Sequence, residues 1–220
     1  MLFEKNAKLV MIGDSVTDCG RARPVGEGLF GAVGTGYVGY VNALLDAAYP
    51  ERHIRVVNMG TSGNTVLDLE ARWQTDVVDL KPDWLSIMIG INDVWRQFDC
   101  PLQTEIHVSP ETYARTLEQL VRTTKPLVKG IVLMTPYYLE PNRQDAMRAR
   151  MDEYGAIARD IATREGTLFV DTQAAFDAYF REYHPNNVAW DRVHPNHLGH
   201  MVLARAFLGA VGYDWAPRQG

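Results

Sequence analysis

A chain of 220 residues, 46% hydrophobic and 22% charged, can bury a substantial core without help from disulfides or a metal. Its formal net charge of −5, with no basic block, argues against nucleic acid or an anionic membrane surface as main partner and fits a neutral or weakly polar small substrate. The opening MLFEKNAKLVMIGDS has too short an apolar stretch for a signal peptide or membrane span, and Cys19 and Cys100 match no disulfide or metal spacing, so cytoplasmic residence is the default expectation.

Residues 8–12 form the first short apolar run, which gives way to Gly13-Asp14-Ser15. Continuous hydrophobicity over so few residues reads as a strand covered on both faces. The loop beyond it then lies at the carboxyl edge of a sheet, where open α/β folds build ligand sites, so Ser15 is a nucleophile candidate. Asp and Ser also suit a turn or a helix cap at that point. Residues 21–35 are glycine-rich and read as a surface loop. A helix is predicted over 37–49, with Tyr37, Val41, Leu44, Leu45 and Ala48 on one side and Pro50 ending it. A second strand at 54–58 runs into Asn58-Met59-Gly60-Thr61-Ser62-Gly63-Asn64-Thr65. A second helix follows over 66–80, its stripe passing through Val66, Leu69, Trp73, Val77 and Leu80.

A third strand at 84–89 leads to Gly90-Ile91-Asn92-Asp93, and residues 95–107 read as another loop. Ser109 and Pro110 start the next helix, because Ser caps and Pro is tolerated at the first helical position. After a strand at 130–134 comes the longest predicted helix, 143–164, with Gly155 as a soft spot and Gly166 as its stop. A fifth strand at 167–170, the segment Asp191-Arg192-Val193-His194-Pro195-Asn196 and a helix over 196–211 complete the order. Strands alternating with helices imply one α/β/α three-layer domain over 1–220, with a parallel sheet in the flavodoxin-like order 2-1-3-4-5. Beyond the last helix, residues 212–220 carry Tyr213 and Trp215, which need something to pack on, and a homo-oligomer is expected.

Three of these loops converge if the sheet is right, and with the fourth they supply the parts of serine hydrolysis. A neutral Ser15 hydroxyl needs a base, and an imidazole such as His194 is suited to accept and return that proton. Asp191, three residues earlier, can hold the ring's tautomer, while Pro195 sets off the following helix and keeps His194 in a loop. The oxyanion needs donors: the Ser15 N–H, a glycine N–H such as that of Gly63, and the Asn92 side-chain amide. No metal or other cofactor is required.

The four blocks, with Ser15, Gly63, Asn92 and His194 in this order, resemble those of the SGNH, or GDSL-like, esterase and lipase family. The resemblance spans the chain from Gly13 through Asn196 and implies a three-layer α/β/α domain. It also implies Ser15 as nucleophile, Asp191 and His194 as acid and base, and Gly63 and Asn92 as oxyanion donors. Val16 replaces the leucine of the family name without touching the chemistry; Gly60 competes with Gly63, which better matches the family's glycine. Within the family, Gly13 to Arg21 is most similar to carbohydrate acetylesterases, including intracellular acetylxylan esterases. That implies removal of O-acetyl groups from short xylo-oligosaccharides. A lysophospholipase, acyl-thioesterase or arylesterase is the alternative on the same machinery, and a non-catalytic carbohydrate-binding protein a third.

Trp95 and Trp190 flank the Asn92 and Asp191 blocks and are candidates for stacking on sugar rings or for ordinary packing. Asp14 is a candidate substrate contact, although a turn Asp more often orders its own loop. Asp18 and Asp93 suit ion pairs or helix caps. His197 and His200, on the last helix, are poor candidates for the base, with His197 open as a supporting partner. His53, His107 and His184 read as surface or loop residues, and Trp73 and Trp84 as core.

Overall fold

The computed structural model describes residues 1–216. Strand β1, Lys8–Gly13, leads into the one-turn helix α1, Ser15–Asp18, and α2, Tyr37–Ala48, follows the glycine-rich loop. Strand β2, Arg55–Gly60, is followed by α3, Val66–Trp73, which continues as a π-helical turn at Gln74–Val78. Strand β3, Trp84–Met88, runs into α4, Ile91–Asp99, and then α5, Pro110–Thr124. Strand β4, Gly130–Met134, precedes α6, Ala146–Glu165; β5, Leu168–Val170, precedes α7, Thr172–Tyr179, and α8 is His197–Ala210.

Among the described residues the five strands form one parallel sheet in the order β2-β1-β3-β4-β5. The central strand β3 is buried along its whole length, because helices cover both faces. On one side α8 packs with α2 and α7; on the other, α5 packs with α3 and α6, and α6 with α4. The fold is therefore the expected three-layer sandwich. Trp73 and Trp84 are in its core, as read from the sequence.

Two expectations need correction. Part of the predicted loop 95–107 is the second half of α4, which the apolar pattern conceals because the helix buries Asn92 and Asp93 along with Ile91 and Val94. Gly155 does not soften α6, which runs unbroken through it; the residue is buried, and a Cβ there would lie 3.8 Å from Thr135. At the other boundary Ser109 caps α5 through its side chain and Pro110 opens it.

The order 2-1-3 puts a switch point between β1 and β3, and their carboxyl ends are in register: Gly13 pairs with Gly60 on one side and Met88 on the other. Here two glycines are required by space. A Cβ on Gly13 would meet the Met88 carbonyl oxygen at 2.3 Å, and one on Gly60 would meet the Asp18 nitrogen at 2.2 Å. Without side chains there, α1 settles directly onto the strand ends.

Candidate active site

Ser15 is the first residue of α1 and is half-buried. Asp14 caps that turn, its Oδ1 accepting the Val16 N–H at 3.0 Å. The Asp14 side chain is buried beneath the loop, where it orders the turn as a turn Asp commonly does. Burial pushes its carboxyl up to about 7, against the pull of the Val16 N–H and His194.

Asp191 and His194 emerge from one tight turn. Asp191 Oδ1 accepts the backbone N–H groups of Val193 and His194 at 3.0 and 2.8 Å, and Oδ2 meets His194 Nδ1 at 2.6 Å. Arg192 takes φ +60° to make the turn, a conformation that ordinary residues adopt only where surroundings enforce it. Those surroundings are Val193, fully buried, whose carbonyl accepts from Tyr137 Oη at 3.1 Å, and the Arg192 carbonyl, which accepts from Leu139 N at 2.9 Å. Asn196 then caps α8.

His194 Nε2 lies 2.8 Å from Ser15 Oγ. Burial alone would raise the Asp191 carboxyl, but the His194 ring and two backbone N–H groups outweigh it and hold it below the usual carboxylate range. An ionised carboxylate only accepts, so Nδ1 carries the ring proton and Nε2 presents a lone pair to the serine hydroxyl. That is the tautomer a general base requires.

The loop after β2 is tied down residue by residue. The Thr61 N–H donates to the Gly13 carbonyl at 3.0 Å, and Ser62 donates to Asp18 Oδ2 through both N–H and Oγ. Asn64 accepts from Asn92 Nδ2 at its carbonyl, 2.9 Å, and from Arg72 Nε at its Oδ1, 2.7 Å. Gly63 lies between these anchors, exposed, at φ +83°. Gly60, its competitor, is buried and already donates its N–H to Asn58 Oδ1 at 2.8 Å.

One supporting residue carries no sequence signal of its own. Arg72, on α3, donates to the Gly13 carbonyl (2.9 Å), the Met59 carbonyl (2.7 Å) and Asn64, and pairs with Asp76. It therefore joins the ends of β1 and β2. Asp93 accepts the Val66 N–H at the start of α3, and its second oxygen is buried without a partner; burial pushes this carboxyl up to about 7. Asp18 pairs with Arg23 at 2.6 Å, as expected of it. His200 is the buried histidine of α8: Nδ1 accepts the Tyr37 N–H at 3.1 Å and Nε2 faces Cys19 Sγ at 3.3 Å. Burial lowers its imidazole to about 4, with His194 adding to the shift.

The flanking tryptophans differ. Trp95, half-buried on α4, sets its ring edge-to-face against His194 with centroids 5.7 Å apart. Trp190 is 91% exposed beside Asp191. Tyr213 packs on Tyr49 of its own chain, and Trp215 on Tyr213 and Arg205; residues 217–220 of the predicted extension lie outside the described residues.

Residues 11–202 match the GDSL-like Lipase/Acylhydrolase family. The chain belongs to that family. It is 62% identical to an acetylxylan esterase of Geobacillus stearothermophilus over 98% of both chains. It is similar to the crystal structure of an acetylxylan esterase from that organism with TM-score 0.98 at 60% identity, covering 100% of each chain. A second solved structure, an alpha/beta hydrolase enzyme from the metagenome of Lake Arreo, matches with TM-score 0.96 at 60% identity over 97% of this chain and 98% of that one. Catalytic mutants of the Geobacillus esterase replace Ser15, Asp191 or His194 by alanine, the three positions that converge here.

Proposed function

We propose that this family member is a serine esterase that removes O-acetyl groups from acetylated sugars, acetylated xylo-oligosaccharides in particular. The observation that carries the reading is the unbroken Asp191–His194–Ser15 array, with contacts of 2.6 and 2.8 Å. Ser15 Oγ attacks the acetyl carbonyl carbon as His194 Nε2 takes its proton, and Asp191 stabilises the imidazolium that forms. The carbonyl oxygen becomes an oxyanion held by the Ser15 and Gly63 N–H groups and Asn92 Nδ2. His194 returns the proton to the departing sugar oxygen, leaving an acetyl-enzyme. Water, deprotonated by the same ring, then releases acetate and restores Ser15.

The resemblance to acetylxylan esterases supports the substrate class, and Trp95 beside His194, with Trp190 exposed next to Asp191, supports sugar stacking. The free thiols Cys19 and Cys100 support a cytoplasmic setting. Self-association supplies cover for Leu29, Phe30 and Trp215, all at least 49% exposed; light scattering that shows only monomer overturns this part.

The deciding experiment measures acetate release from acetylated xylose, glucose and xylo-oligosaccharides beside nitrophenyl esters of graded chain length. The parent protein favours acetyl groups on xylo-oligosaccharides and is labelled at Ser15 by a serine-directed phosphonate; Ser15→Ala folds but loses both. Preference for long acyl chains points to a lysophospholipase or thioesterase instead, and absence of labelling points to a binding protein.

A further inference from the structure

An asparagine can serve an oxyanion only if its NH₂ end, not its oxygen, faces the reacting carbonyl, so something must fix which way the Asn92 amide lies. Two contacts do so. Nδ2 donates to the Asn64 carbonyl at 2.9 Å, and Oδ1 accepts from Arg96 Nη2 at 3.3 Å. Turned over, the amide would set oxygen against the Asn64 carbonyl and NH₂ against a guanidinium, losing both hydrogen bonds to repulsion. The Asn64 contact uses one of the two amide protons and leaves the other free to donate.

Arg96 stands one helical turn after Asn92 on α4, the spacing at which side chains meet. It is held in turn: its guanidinium pairs with Asp99 and lies over the Trp95 ring, 4.9 Å from the centroid. Trp95 itself packs on His194. The head group is thus braced on an anion and an aromatic face while one N–H reaches Asn92.

We propose that Arg96 is a positioning residue for the oxyanion donor: it locks the Asn92 amide in its donating orientation and, by drawing electron density toward Oδ1, strengthens Nδ2–H as a donor. The inference rests on the assignment of Asn92 under the proposed esterase reading. Its action appears in the transition state, where the oxyanion exists, and not in substrate binding.

The test is a double-mutant cycle on nitrophenyl acetate and an acetylated xylo-oligosaccharide, using Asn92→Ala, Arg96→Met and the pair together. Asn92→Ala lowers kcat by about 10²–10³-fold, the usual cost of one oxyanion donor. Arg96→Met lowers kcat about tenfold with KM held within about twofold, the loss expected when a hydrogen bond to a charged group is removed. In the double variant the Arg96 effect vanishes, because the amide it positions is gone. The thermal midpoint of Arg96→Met stays near that of the parent, since the Arg96–Asp99 pair is part-exposed. An Arg96 effect that persists undiminished without Asn92, or that falls on KM alone, overturns the positioning role and leaves the esterase reading standing. An Asn92→Ala enzyme with parental kcat overturns the oxyanion assignment and the role of Arg96 together.

Discussion

Replacing Arg72 by methionine tests whether the loops of this site are held by one side chain. The guanidinium donates to two backbone carbonyls, those of Gly13 and Met59, and to Asn64 Oδ1, all within 2.9 Å, and its side chain is 16% exposed. Each hydrogen bond from a charged donor contributes about 1.5 kcal/mol at the low end of the usual range. The Asp76 pair, with its carboxylate 20% exposed, adds under about 1 kcal/mol. Allowing for shared geometry, the loss is about 4 kcal/mol. At about 2.1 cal/mol/K per residue, a chain of 220 residues has an unfolding entropy of about 0.46 kcal/mol/K, so the thermal midpoint falls by about 9 °C. Calorimetry checks the midpoint, and kcat measured well below it falls as well, because the Gly13 carbonyl precedes Ser15 and Asn64 supports Asn92. Arg72→Lys recovers less than half the loss, since one ammonium cannot span all three acceptors. A methionine variant that melts within about 3 °C of the parent refutes the reasoning.

Asp191→Asn keeps an oxygen for the Val193 and His194 N–H groups but turns an NH₂ toward the ring, forcing the proton onto Nε2; kcat falls by about 10⁴-fold while the fold persists, checked by steady-state kinetics and circular dichroism. His200 makes acid stability a second readout. Its folded imidazole titrates at about 4 against 6.5 unfolded, so the unfolded chain binds more protons between those values and stability falls as pH drops through that window. The contribution reaches about 3 kcal/mol below pH 4. Urea titrations from pH 7 to 4 on the parent and His200→Gln measure it, and identical pH slopes would falsify the assignment.

The sheet was legible because a strand buried on both faces must be apolar throughout, so β1, β2, β3 and β4 stand out as short continuous runs. Helix α5 was legible from its Ser109 cap and Pro110. Helix α4 was not, because its buried side includes the polar Asn92 and Asp93, which break the apolar stripe. The same division runs through the site. Ser15, Gly63, Asn92, Asp191 and His194 sit in short blocks whose residue types announce their chemistry. Arg72, Arg96 and His200 do not: an arginine on a helix face reads as solvated until the structure brings Gly13 and Met59 to its head group, and His200 finds its partners on Cys19 and Tyr37. Asp14 reverses the case, chemically suggestive in sequence but sealed beneath its own turn.

The Asp191–His194 turn satisfies its own carboxylate within four consecutive residues and meets the nucleophile through a single hydrogen bond. The proposed nucleophile and base are therefore carried by separate pieces of the chain, 179 positions apart. Ser15 thus meets a base only where these two distant segments pack together, so loosening the Asp191–His194 turn separates the pair without touching Ser15 itself.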